Sequence, residues 1–178
     1  VNILPNGHVD LNDLEVKLKE SDKKTLVTLM HANNEIGNIT DIEKVGMLCQ
    51  KYQALFHSDT VQTVGHFPIN LSELHIDFIT GAGHKFHGPK GVGILYINGR
   101  NKIHPLLHGG GQERNMRAGT ENVYGIIGFA KALEIASENQ EKEKEYILRL
   151  KQYLKHRIST EITGVVFNGD PDGESLYT

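Results

Sequence analysis

The sequence has one cysteine, no excess of basic residues and no long apolar run. With Cys49 as the single thiol, the chain can form neither an internal disulfide nor a multi-cysteine metal site. Sparse cysteine use fits a reducing compartment, and a cytoplasmic location is expected. A net charge of -3 argues against nucleic-acid binding, which usually rests on a strong basic excess. No stretch approaches the ~18 apolar residues that span a bilayer, so no membrane contact is expected. There is no leader pattern, no internal repeat and no low-complexity tract. The chain opens on Val1 and closes on residues 174–178, which read as an element just beginning. A piece of a longer protein is the expectation.

What is present is a globular composition. Hydrophobic residues make up 38% and charged residues 23% of 178, enough for one domain or one domain plus part of another. Residues 11–19 read as a helix capped by Asp10 or Asn12. Residues 25–31 (TLVTLMH) suit a buried strand. A helix then starts at Asp41, with Ile42, Val45, Leu48, Cys49 and Tyr52 on one face. Short strands are expected at 54–58, 77–80 and 93–97, with a short helix between the first two. The alternation predicts an α/β fold with a mainly parallel sheet. Two helices close the chain, over about 124–138 and 140–159. The run Glu141-Lys142-Glu143-Lys144-Glu145 reads as a solvated face. A boundary near Gln140 divides residues 1–139 from residues 140–178, where 165–168 would be a strand of a second domain.

Ligands of open α/β sheets bind beyond the carboxyl ends of the strands. Three polar clusters fall there: His31-Ala32-Asn33-Asn34-Glu35, His57-Ser58-Asp59-Thr60-Val61-Gln62 and Gly81-Ala82-Gly83-His84-Lys85-Phe86-His87. Singly, each has a plainer reading. An Asp after a strand is most often a helix cap, a lone Lys a surface charge, and Asn33 and Asn34 turn residues. Jointly they match what pyridoxal 5'-phosphate requires: a lysine to bind its aldehyde and a carboxylate to keep its ring nitrogen protonated. Lys85 and Asp59 lie one strand crossover apart. Gln62, one turn after Asp59, could reach the ring oxygen, and His84 the phosphate.

The stretches MHANNEIGNI, FHSDTVQTVGHFPI, GHKFHGPKGVGILYI and HGGGQERNMRAGTENV closely resemble the NifS/IscS-like cysteine desulfurases of the class V aminotransferase superfamily. The resemblance implies a fold-type I enzyme: a three-layer α/β/α large domain with a mainly parallel sheet, followed by the start of a small α+β domain. It implies that Lys85 is the catalytic lysine, forms the Schiff base and later moves the substrate proton. It further implies that Asp59 pairs with the pyridinium nitrogen, Gln62 with the ring oxygen, Asn34 with the cofactor–substrate adduct and His84 with the phosphate. Thr120 would reach the phosphate in the partner subunit's site, because such sites are shared across a homodimer, with the Gly109-Gly110-Gly111 loop near the interface. The implied substrate is L-cysteine, converted to L-alanine and an enzyme persulfide for an Fe–S scaffold or sulfur-carrier protein.

One departure is Ala82, where many members of that family carry a phosphate-binding serine three residues before the lysine. The resemblance also places the sulfur-accepting cysteine and the substrate-carboxylate arginine beyond Thr178. Cys49, on the apolar face of its helix, is expected to be structural. Alternatives are a selenocysteine lyase, another class V lyase or aminotransferase, or a non-enzymatic scaffold homologue. The pairs His84/His87 and His104/His108 have ligand-like spacing, but Pro89 and Pro105 oppose regular helix there and no third ligand is evident. No metal is expected. GPKGVG precedes a strand rather than a helix, which argues for a tight turn over a nucleotide loop.

Overall fold

The structure is a computed structural model, and it describes residues 1–176. Helix α1 (Leu11–Glu20) starts where the Asp10 carboxylate accepts from the N–H groups of Asn12 and Asp13. Such a cap satisfies donors that the first helical turn leaves orphaned. Leu14 and Leu18, four residues apart and therefore on one face, are its buried contacts. Helix α2 (Ile42–Lys51) starts likewise at Asp41, which accepts from Lys44 N. Its buried stripe is Ile42, Val45 and Cys49, with Gly46 pressed against the next segment. A Cβ on Gly46 would stand 2.6 Å from the His75 carbonyl oxygen, so only glycine lets α2 approach this closely.

Strands β1 (Leu26–Met30), β2 (Leu55–Asp59), β3 (Phe78–Ala82) and β4 (Gly93–Ile97) form one sheet in that order. β1, β2 and β3 run parallel, and β4 returns antiparallel to β3. The mainly parallel α/β sheet expected from the sequence is therefore present. Side chains alternate across it, as the period of a strand demands. Val27, Phe56 and Ile79 face α1 and α2 and form the main core with Leu14, Val45 and Cys49. The opposite face carries Leu26, Leu55 and Leu95, each 41% to 55% exposed.

Helix α3 (Val123–Glu161) follows a loop and runs unbroken for 39 residues. This corrects the expectation of two helices meeting near Gln140. No Gly or Pro lies between Lys131 and Glu161 to break the ladder, and the Asn139 amide donates to the Ile135 carbonyl within the helix. The charged run is a solvated helical face and not a stop. A second correction concerns residues 165–168, which form no strand. Gly164 is left-handed there (φ 75°), and a strand needs a neighbour to satisfy its backbone. The short helix expected after β2 is instead a succession of turns over residues 61–66.

Residues 169–176 run back as a strap. Leu176 N donates to Gly37 O at 2.7 Å, Ser175 bridges to Asn38, and Lys155 of α3 binds Asp172 and the Pro171 carbonyl. Among the described residues no helix is long and apolar enough to cross a membrane. Phe56 is fully buried at the centre of the sheet. Phe56→Ala should lower stability by about 3–5 kcal/mol through lost burial and a residual cavity, read as a lower urea midpoint at unchanged slope.

Candidate functional site

The three parallel strands end side by side. Met30 is in register with Asp59, and Asp59 with Thr80. Beyond that line the ladder continues into the loops: His31 N donates to Asp59 O at 2.8 Å and Thr60 N to Thr80 O at 3.0 Å. The loops holding the predicted site residues thus leave from one edge of the sheet.

Asp59 follows Phe56 and Ser58, whose side chains are buried, and by alternation lies on the other face. It is half-buried. Its Oδ1 accepts from Val61 N at 2.9 Å, which tightens the first turn after the strand. Asp59 Oδ2 has no protein partner among the described residues. Two residues back on the same face, the His57 ring sits between Thr28 Oγ1 (2.7 Å from Nδ1) and Thr80 Oγ1 (3.4 Å from Nε2). The turns over 61–66 are pinned internally by Thr60 and Thr63, both fully buried. The Thr60 hydroxyl donates to Thr80 O and the Thr63 hydroxyl to Thr60 O. Gln62, half-buried on this segment, has no hydrogen bond on its amide among the described residues.

Lys85 belongs to a 3-10 turn, Gly83–Phe86, directly after β3. Phe86 is 1% exposed, in edge-to-face contact with Phe129 of α3 at 5.0 Å between ring centres. Its neighbours His84 and Lys85 are exposed. Lys85 Nζ makes no hydrogen bond or ion pair among the described residues. The Lys85 carbonyl is held by His66 Nε2 at 2.9 Å. His87 closes the turn in the left-handed region (φ 65°). A cleft of about 490 Å³ lies behind this turn, lined by His66, Phe86, Pro89 and α3, and Asp59 and Lys85 lie outside it.

Four predicted residues, Asp59, Gln62, His84 and Lys85, are thus carried by adjoining segments at the ends of neighbouring strands. Asn34 lies in the loop that leaves the same edge after β1, and Thr120 comes from a later segment. Asn33 Oδ1 closes the loop after β1 by accepting from Glu35 N and Ile36 N. Asn34 donates to Glu35 Oε1 at 2.8 Å and lines a cleft whose other wall is Ile147, Leu150 and Leu154 of α3. Thr120 is exposed in the loop that precedes α3. The residues that sequence reasoning passed over are His66 and His57. The contact of His66 is to a backbone carbonyl, which leaves no trace in residue spacing.

At this edge Asp59 offers a carboxylate oxygen, Gln62 a primary amide and Lys85 a primary amine, each without a protein partner among the described residues. That donor set fits pyridoxal phosphate, which needs a carboxylate for its ring nitrogen and an amine for its aldehyde. Among the described residues no group of three or more His, Cys, Asp or Glu could hold a metal ion.

Comparison with known proteins gives the family. The family described as aminotransferase class V matches residues 1–176. The chain belongs to the class V aminotransferases. Among curated relatives, the cysteine desulfurase IscS of Dictyoglomus turgidum is 48% identical over 163 residues, which is 92% of this chain and 41% of that protein. The mitosomal cysteine desulfurase of Encephalitozoon cuniculi is 39% identical over 97% of this chain and 41% of its own length. The chain therefore spans about two fifths of the relatives it matches. Among solved structures, a NifS-like protein from Rickettsia africae superposes with a TM-score of 0.93 at 36% identity, covering 99% of this chain and 49% of that one. Likeness at that level carries the fold-type I architecture for this class V chain.

Two other groups are shaped by burial. Cys49, 1% exposed, has its thiol pushed up to about 11, first by desolvation and then by the nearby Asp77 charge. Iodoacetamide at pH 8 should leave Cys49 unmodified in the folded protein and alkylate it in urea, as read by mass spectrometry. His31, 8% exposed with Nδ1 2.9 Å from Thr63 Oγ1, is pushed by burial from 6.5 down to about 4. The unfolded chain then takes up the proton first as pH falls. His31 should cost no stability above pH ~6.5, and up to about 3 kcal/mol should be lost as pH drops toward ~4. His31→Gln should flatten that part of the stability–pH curve.

Proposed function

We propose that the protein to which this chain belongs is a pyridoxal-phosphate-dependent cysteine desulfurase with Lys85 as its cofactor lysine. The observation that supports this best is the placement of Asp59 and Lys85 at the ends of neighbouring strands, with Asp59 Oδ2 and Lys85 Nζ both without protein partners among the described residues. The names of the curated relatives supply the substrate class.

When bound, pyridoxal phosphate supplies an aldehyde that condenses with amines and a protonated ring that withdraws electrons. Lys85 would anchor it, yield to the amine of L-cysteine, and then carry a proton at the substrate Cα. Asp59 Oδ2 would accept the hydrogen bond of the ring N–H and keep that nitrogen protonated, since an adjacent carboxylate favours the charged form. The Gln62 amide would donate to the ring hydroxyl oxygen. His84 and Thr120 of the partner subunit would donate to the phosphate in a homodimer, and Asn34 would contact the substrate adduct. Ala82 contributes no hydroxyl, so the phosphate leans more on these donors. With Cys49 buried, the sulfur acceptor would be a cysteine outside residues 1–178, leaving an enzyme persulfide and L-alanine. An Fe–S scaffold or a sulfur carrier would take the persulfide sulfur, in the cytoplasm. In this reading residues 1–139 belong to the cofactor-binding domain, and 140–178 comprise a linking helix and the beginning of a smaller domain.

The test uses the full-length protein with pyridoxal phosphate. A visible absorption band should form and Lys85→Ala should abolish it, with Cα proton exchange on L-cysteine lost by at least about 100-fold. A colourless wild type, or a Lys85→Ala variant that keeps the band, would sink the proposal. Sulfide release from cysteine in excess of selenide release from selenocysteine would separate a desulfurase from a selenocysteine lyase.

A further inference from the structure

We infer that His66 is a positioning residue that locks the lysine-bearing turn to the carboxylate-bearing segment. It rests on the reading of Lys85 given above. Three observations carry it. His66 Nε2 lies 2.9 Å from the Lys85 carbonyl oxygen. A carbonyl can only accept, so Nε2 carries the proton and donates. His66 is 8% exposed, so water competes little for the donor side of the bond. Finally, His66 and Gln62 lie on one segment, residues 60–67, which leaves the sheet directly after Asp59.

The residue before it makes the same junction from the apolar side. Gly65 is left-handed (φ 84°), and a Cβ there would stand 2.8 Å from the Phe86 Cβ. Phe86 in turn packs with Val64 and Phe129. The segment and the turn are therefore joined twice, by close packing at Gly65 and by one directed bond at His66. Packing fixes how near the two segments lie, but it has little direction along the chain. The hydrogen bond sets the orientation of the Lys85 peptide unit and so the origin from which the lysine side chain extends. The placing of the Lys85 backbone relative to the segment after Asp59 is then set by the His66 side chain.

The test compares variants matched in polarity but not in reach, in the full-length protein. His66→Gln can put an N–H donor near the Nε2 position; His66→Asn, shorter by one methylene, cannot, and His66→Met fills the space without a donor. Loss of one buried hydrogen bond corresponds to about five- to tenfold in an equilibrium constant. His66→Asn and His66→Met should therefore raise the Kd for pyridoxal phosphate five- to tenfold. In the cofactor-free protein they should speed amide exchange across residues 83–88 by a similar factor, and His66→Gln should stay within about twofold of wild type in both. Unchanged exchange in His66→Asn, or equal losses in the Gln and Asn variants, would overturn the inference. If His66→Met does not fold, the Gln and Asn pair decides alone. If the wild type binds no cofactor, the reading of Lys85 falls, and the exchange measurement still decides whether His66 holds the turn.

Discussion

The functional edge depends on the burial of one ring. Phe86 sits in a 3-10 turn, where successive side chains project about 120° apart. Once its ring is buried between Val64 and Phe129, the directions of its neighbours follow. His84 and Lys85 are exposed because Phe86 is not. The role proposed for Lys85 calls for an exposed amine on a rigid backbone, and a buried aromatic anchor beside that amine meets both demands with few residues.

The sheet brings the second half of the site to that anchor. Parallel pairing puts the carboxyl ends of β1, β2 and β3 on one edge, and the backbone ladder continues past Asp59 into the loops. The polar groups then divide into two kinds. Thr60, Thr63 and His31 are buried and spend their hydrogen bonds on the scaffold. Asp59 Oδ2, Gln62 and Lys85 Nζ keep theirs. Burial that drives the proton from His31 and the charge from Cys49 also removes both from the chemistry at that edge.

The four strands of the sheet, the starts of α1 and α2 and the polar strand ends were legible in the sequence because each has a local signature. Apolar runs of about five residues, a carboxylate ahead of a helix and a polar cluster after a strand need no tertiary information. Residues whose meaning depends on neighbours were less legible. The two helices expected over 124–138 and 140–159 are one, because no Gly or Pro between Lys131 and Glu161 breaks the ladder. Residues 165–168 have strand-like character but no strand beside them. Asn34 and Thr120 carry motif-level expectations; here Asn34 donates to its neighbour Glu35 and Thr120 is exposed. His66 was invisible because its partner is a backbone atom.

Helix α3 has a mechanical consequence. It is held at Phe129 against Phe86 and again, 18 residues on, where Ile147 and Leu148 pack against the buried Ala32 and Phe67. At 1.5 Å per residue the two holds stand about 27 Å apart. One unbroken helix therefore spans the turn that carries Lys85 and the loop that follows β1. It works as a strut whose length is fixed by its own hydrogen-bond ladder and not by any loop.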